Sequence, residues 1–366
     1  MTASAAPKSG RYRPAGEAGP PIRLLIVDDS PVARAVLTRM VGAQQGFEVA
    51  AAAGNAAEAL SALRSVRVDI VLLDLEMPGM SGLEALPEIL KAGGGARVLV
   101  VSSLCERGAE ATVRALALGA ADTLPKPGTG AFAGRFAEVL VERLRRIGRV
   151  GGEAGIAAGA AEEPTIRLRA MPDAPLGCVA IGASTGGLHA ISEFLRALPP
   201  KIGVPIFVTQ HLPPLFMPFF ARQIEAACGR ATVVGEEGGA VTADRIHVAP
   251  GDAHLVVERQ RIGVSLRLSR EQSDSGCLPS VDPMLASVAE VYGVGGVGVI
   301  LSGIGRDGLS GARRVVDCGG AMLAQDRRSA AVWGMPRGVA EAGLASAVLS
   351  PADLATRVAA RTASWN

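Results

Sequence analysis

The chain has 366 residues and a net charge of +2, and is 49% apolar, 20% charged and 3% aromatic. That length exceeds what one hydrophobic core organises and points to two domains. Near-neutral charge with scattered Lys and Arg, and too few aromatics to stack bases, argue against nucleic acid as a partner.

Residues 1–20 are rich in Pro, Gly and Ala and read as a disordered tail, with no apolar core that would make a signal peptide. From Ile22 a regular alternation begins. The runs at 22–27, 47–52, 68–73 and 97–101 are short, apolar and rich in β-branched residues, as strands buried on both faces require. Helical segments lie between them at Pro31–Gln44, Ala56–Arg64 and Glu106–Leu118, the first opened by a Ser30 cap and a first-turn proline. Strand–helix alternation at this spacing predicts a parallel sheet with right-handed crossovers.

In such a sheet the ligand site lies outside the carboxyl ends of the strands. Asp28 and Asp29 follow the first strand and Asp74 follows the third, so three carboxylates converge at one edge. They repel one another unless a cation joins them, and an all-oxygen donor set suits Mg²⁺. Ser102 and Ser103 end the fourth strand, and Lys126 lies past the fifth. A hydroxyl and an ammonium beside an acidic site are what a bound phosphoryl group needs. Asp74 is then the nucleophile toward a phosphodonor. Any one strand-end aspartate is commonly a cap, but the ordered set is not.

With paired Asp, Asp-x-x-Met-Pro-Gly at 74–79, Ser-Ser and Lys-Pro in order, residues 22–147 resemble the response-regulator receiver family, which has a flavodoxin-like fold. The resemblance implies that Asp29 and Asp74 bind Mg²⁺ with help from Asp28. It makes Asp74 the phosphorylation site, Ser102 the signalling hydroxyl and Lys126 the phosphate contact. The chain departs from the family at Thr123, where an aromatic switch residue is usual.

Residues 148–176, with the Gly/Ala/Pro-rich stretch 151–175, read as a linker between a receiver at 21–147 and a second domain at 177–366. In the second block CVAIGA (178–183), VPIFVTQ (204–210) and VGVILSG (297–303) read as buried strands. Shorter alternating strands between Ala231 and Leu268, with a turn at Pro250–Gly251, read as a hairpin added to that sheet. Gly182-Ala183-Ser184-Thr185-Gly186 matches a G-x-S-x-G elbow, which exposes the serine and leaves helix N-terminal amides free for an oxyanion. His211 ends the next strand and supplies a base on the same edge. Asp307, after the third strand, orients it. Thr185, Gly186 and Ile304 are the oxyanion and near-site candidates. G-x-S-x-G alone is weak among 46 glycines. His189, His247 and His254 read as surface, packing or turn residues, and Asp282 and Asp326 as near-site acids without strand-end placement.

The stretches AIGASTGG (180–187), TQHLPPLF (209–216), APGDAHL (249–255), PSVDPM (279–284), SGIGRDG (302–308), AQD (324–326) and WGMPRG (333–338) together resemble the CheB-type methylesterase domain. The resemblance implies a three-layer α/β fold and a Ser184–His211–Asp307 triad that hydrolyses γ-glutamyl methyl esters on chemoreceptors, with deamidation of receptor glutamines. It implies no cofactor for that reaction. A chemotaxis histidine kinase of the CheA type would be the phosphodonor to a monomeric, cytoplasmic protein. Leu188, Met217, Leu278 and Ile304 stand where the family usually has Pro, Thr, Arg and Met. The competing readings are weaker. GASTGG is not a dinucleotide fingerprint, and no ribose-binding acid follows the second strand. A non-catalytic receiver–adaptor that binds chemoreceptors is the alternative, and a Ser184→Ala variant separates it from the enzyme.

Overall fold

The computed structural model describes residues 20–102, 106–126, 133–156 and 166–362. Ser103 and nearly all of the expected tail therefore lie outside the described residues. The first unit runs β1 (Ile22–Val27), α1 (Pro31–Gly42), β2 (Phe47–Ala53), α2 (Ala56–Ser65), β3 (Ile70–Leu73), α3 (Gly82–Ala92), β4 (Arg97–Ser102), α4 (Glu106–Ala117), β5 (Asp122–Pro125) and α5 (Ala133–Ile156). Its sheet has the order β2-β1-β3-β4-β5, all parallel. Every residue of β3 is buried, as expected for a strand covered on both faces. Ser30 caps α1 by accepting from the Ala33 N–H at 3.3 Å.

Helix α5 buries Phe136, Leu140, Leu144 and Ile147 along one stripe. It then continues to Ile156, so the first part of the expected 148–176 linker is helical.

The second unit contains β6 (Cys178–Ala183), α6 (Gly187–Ala197), β7 (Ile206–Gln210), α7 (Met217–Cys228), β8 (Thr232–Val234), β9 (Ile246–Val248), β10 (His254–Arg259) and β11 (Val264–Ser269). It continues with α8 (Val281–Tyr292), β12 (Gly296–Ile300), α9 (Leu309–Asp317), β13 (Ala321–Gln325), α10 (Met335–Glu341), β14 (Ala345–Leu349) and α11 (Pro351–Ala359). Seven parallel strands order as β14-β13-β12-β6-β7-β9-β8. Both units are thus α/β, as expected.

The expected hairpin is corrected in one respect. Strands β8 and β9 extend the main sheet, whereas β10 and β11 form a separate antiparallel pair. Leu255, Val257 and Leu266 of that pair bury themselves with Val281, Met284 and Leu285 of α8. Packing on a helix satisfies the hairpin's apolar face without a place in the sheet. No helix among the described residues is long and apolar enough to cross a membrane.

Candidate functional site

The first site forms where β1, β3, β4 and β5 end. Asp28 and Asp74 are buried there and Asp29 is exposed. Lys126 Nζ lies 2.6 Å from Asp74 Oδ2 and 3.1 Å from Asp28 Oδ2. The Asp74 carboxylate also accepts from the Glu76 N–H at 3.2 Å. Burial pushes the Asp74 carboxyl above its ordinary value, against the opposing pull of the Lys126 ammonium. Burial would lower the Lys126 pKa, but Asp74 and Asp28 reverse that and raise it.

One oxygen from each of Asp28, Asp29 and Asp74 lies within 4.8 Å of the others. Asp28 Oδ2 is buried, with the Lys126 ammonium 3.1 Å away as its counter-charge. A hard, all-oxygen set of three converging carboxylates fits Mg²⁺.

Ser102 is brought to this edge, but its hydroxyl pairs with the Thr112 hydroxyl of α4 at 2.6 Å. Thr123 is buried, and its hydroxyl finds no partner among the described residues. Thr112 carried no signal at the sequence level, because only the docking of α4 on β4 makes it a neighbour.

The second site lies at the carboxyl ends of β6, β7 and β12. Ser184 follows β6, and its backbone N–H donates to Ser302 O at 2.9 Å. Gly186 caps α6 with φ 75°, a left-handed conformation. A Cβ at Gly186 would come within 2.4 Å of the Ala331 Cβ, and one at Gly187 within 2.2 Å of Gln210 Oε1. Both conditions explain the glycines of the elbow. Gln210 Nε2 donates to Ser184 O at 2.8 Å, and the Ser302 hydroxyl donates to Thr185 O at 2.7 Å. Neither Gln210 nor Ser302 was singled out from the sequence, since each acts on the backbone of the turn rather than on chemistry.

His211 follows β7, and its Nε2 lies 2.7 Å from Asp307 Oδ2. Asp307 is buried and is fixed twice more. The Ser280 hydroxyl donates to Oδ1 at 2.6 Å and the Val281 N–H to Oδ2 at 2.8 Å. Burial opposes the Asp307 charge, but the hydrogen bond and charge of His211, joined by these two donors, hold its carboxyl well below the usual range. Burial would likewise lower the His211 pKa. The Asp307 hydrogen bond, with lesser help from Cys277 and the Asp307 charge, overturns that and raises it to about 9. No hydrogen bond joins Ser184 to His211 in this arrangement.

Asp282, in the first turn of α8, accepts from the Gly311 N–H at 2.7 Å. Its carboxyl is raised to about 6, chiefly by burial and further by the Asp307 charge. Asp326 accepts from the Ser329 N–H at 2.8 Å and holds a local turn. His254 Nδ1 accepts from the Ser280 N–H at 2.8 Å, and His247 stacks on Phe207 with ring centroids 5.8 Å apart. His189 Nδ1 lies 3.4 Å from Ala117 O of the first unit. Ile304 and Asp307 line a cleft of about 640 Å³ whose wall includes Cys277, Asp282, Arg313 and Arg146 of α5.

The two units meet at the Ser184 turn. The Gly186 N–H donates to Ala121 O at 2.7 Å, and the Thr185 hydroxyl donates to Asp122 Oδ2 at 3.1 Å. Arg143 of α5 pairs with the same Asp122 oxygen at 2.7 Å. Two of the three oxyanion candidates are therefore engaged by the start of β5.

Residues 179–358 match the CheB methylesterase family model, and residues 24–131 match the response regulator receiver domain. The chain is 38% identical to protein-glutamate methylesterase/protein-glutamine glutaminase 1 of Paramagnetospirillum magneticum, over 91% of this chain and 94% of that one. It is 39% identical to protein-glutamate methylesterase/protein-glutamine glutaminase 2 of Caulobacter vibrioides, over 94% and 99%. Among solved structures, the CheB methylesterase catalytic domain of Thermotoga maritima is 33% identical and covers 51% of this chain and 99% of its own, with a TM-score of 0.49. With a receiver and a methylesterase domain joined in that order, the chain belongs to the protein-glutamate methylesterase/protein-glutamine glutaminase family.

Proposed function

We propose that this protein hydrolyses glutamyl methyl esters, and deamidates glutamines, on methyl-accepting chemoreceptors under control of phosphorylation at Asp74. The observation that carries the chemistry is the His211–Asp307 bond of 2.7 Å on the strand edge that also carries Ser184. In this reading the Ser184 hydroxyl attacks the side-chain carbonyl while His211 takes its proton. Asp307 holds Nε2, which leaves Nδ1 as the ring nitrogen for that transfer. The Gly186 amide and its neighbours at the start of α6 stabilise the tetrahedral oxyanion. His211 returns the proton to the leaving methoxide, or to the leaving amide nitrogen of a glutamine. Water then releases the glutamate from Ser184.

In the receiver, Asp74 accepts the phosphoryl group from a chemotaxis histidine kinase, and Lys126 leaves its carboxylate partners to meet the new oxygens. Asp28, Asp29 and Asp74 would hold Mg²⁺, which when bound neutralises charge on the incoming phosphoryl group. In the resting arrangement Ala121 O occupies the Gly186 N–H that an oxyanion needs. Phosphorylation shifts the population away from this docked state.

The docking is tested by Asp122→Ala, which removes the acceptor of the Thr185 hydroxyl and the partner of Arg143. Basal methanol release from methylated receptor membranes rises several-fold, and stimulation by acetyl phosphate shrinks accordingly. An unchanged basal rate would remove Asp122 from the docking.

A second prediction concerns pH. With its pKa raised to about 9, His211 is an imidazolium at neutral pH in the resting arrangement and must lose a proton to serve as base. The kcat/KM of the unphosphorylated protein therefore climbs about tenfold per pH unit from neutrality and levels off near pH 9. A profile already flat above pH 7 would contradict the raised base. The sign for stability is opposite. The pair's contribution is fully present below the ordinary histidine pKa of about 6.5 and is lost as pH rises through about 9.

A further inference from the structure

Cys277 stands beside the His211–Asp307 pair but takes no proton and forms no bond in the proposed ester hydrolysis. Cys277 is half-buried, carries a free thiol and lines the same cleft as Asp307. One donor atom from each of His211, Cys277 and Asp307 lies within 4.8 Å of the others. An imidazole nitrogen, a sulfur and a carboxylate oxygen form a mixed set, unlike the all-oxygen set around Asp74. Borderline cations such as Zn²⁺ take tetrahedral N, S and O ligands, whereas Mg²⁺ does not favour a thiolate. Asp307 is also already oriented by the Ser280 hydroxyl and the Val281 N–H, the kind of outer support that fixes a metal ligand. Three protein donors leave a fourth position for water, and Cys277 and Asp307 line a cleft of about 640 Å³.

We propose that His211, Cys277 and Asp307 form a reversible Zn²⁺ site that shuts off the hydrolase. Binding releases the Cys277 thiol proton and the acidic ring proton of His211 to solvent. No covalent bond in the chain is otherwise made or broken. The metal holds the base and its orienting carboxylate together, so neither serves Ser184. The inhibitory half of this proposal rests on His211 being the base. The binding half does not.

The test uses full-length protein stripped with a chelator, then titrated with Zn²⁺ by calorimetry and with Co²⁺ as an optical probe. The expected result is one site with a near-ultraviolet thiolate-to-cobalt band. That band is lost in Cys277→Ala and in Cys277→Ser, and Zn²⁺ affinity falls at least tenfold in each. Two variants of different polarity separate loss of the ligand from loss of the fold, with circular dichroism checking both. Methanol release by the parent protein falls on adding Zn²⁺ and returns with chelator. The variants, each measured against its own metal-free rate, lose that sensitivity. A cobalt band unchanged in both variants, or no binding beyond the Mg²⁺ site, would overturn the proposal. A Cys277-dependent band without inhibition would keep the site, overturn its inhibitory role and count against His211 as the base.

Discussion

Replacing Ser184 with alanine abolishes methanol release from methylated receptors, with a fall in kcat on the order of 10⁶-fold if the serine is the nucleophile. The size follows from removing the atom that forms the acyl-enzyme, which leaves only binding and oxyanion stabilisation to speed attack by water. The fold survives the change, because the turn is held by backbone groups. The Ser184 N–H still reaches Ser302 O, and its carbonyl still accepts from Gln210 Nε2 and the Gly187 N–H. Thermal melting should therefore match the parent while activity disappears. Activity within tenfold of the parent in a well-folded variant would place the nucleophile elsewhere.

The second large effect is expected at Asp307. An Asp307→Asn variant keeps the shape of the side chain but turns one acceptor oxygen into a donor. In the parent, that carboxylate accepts from three donors: His211 Nε2, the Ser280 hydroxyl and the Val281 N–H. Oδ2 takes both His211 Nε2 and the Val281 N–H, so an amide NH₂ there opposes the Val281 N–H, whereas at Oδ1 it faces only the Ser280 hydroxyl, which can turn to accept. In the second placement Nε2 still donates to the amide oxygen, and what the variant loses is the negative charge that stabilises the His211 imidazolium as it takes the serine proton. A fall in kcat of up to about 10⁴-fold is expected, the full value applying where the amide sits the other way round and fixes the wrong tautomer. Rates measured from neutral to alkaline pH check this, since the variant also loses the cause of the raised His211 pKa. A variant with parental kcat would show that Asp307 is structural.

Much of this was legible in the sequence because parallel sheets gather their chemistry at one edge. Asp28, Asp74, Ser102 and Lys126 follow successive strands, and so do Ser184 and His211. For such residues, finding the strand is nearly finding the site. Asp307 is less direct, since a glycine-rich loop separates it from β12 and its place after that strand suits a turn former as well as an orienter. Ser280 escaped notice because it serves the carboxylate from a loop after β11, a distance no local pattern encodes. The Ser102–Thr112 pair escaped for a related reason. Side-chain direction depends on how α4 packs, and a run of residue types does not fix that. The contact between Ala121 and Gly186 depends on how the two units dock. Neither a parallel-sheet rule nor a turn motif speaks to it. Thr123 and Leu278 pointed to regulation as the least familiar part of the chain, and Asp122 and Cys277 close by supply features that no motif carried.

Initial rates of methanol release from methylated receptor membranes, with and without acetyl phosphate and Mg²⁺, test most directly whether a docked receiver holds the Ser184 turn in check. The parent protein should release methanol faster with the phosphodonor. Asp74→Asn should keep the low basal rate and show no stimulation. A parent rate that acetyl phosphate leaves unchanged, or stimulation that survives in Asp74→Asn, would contradict the account.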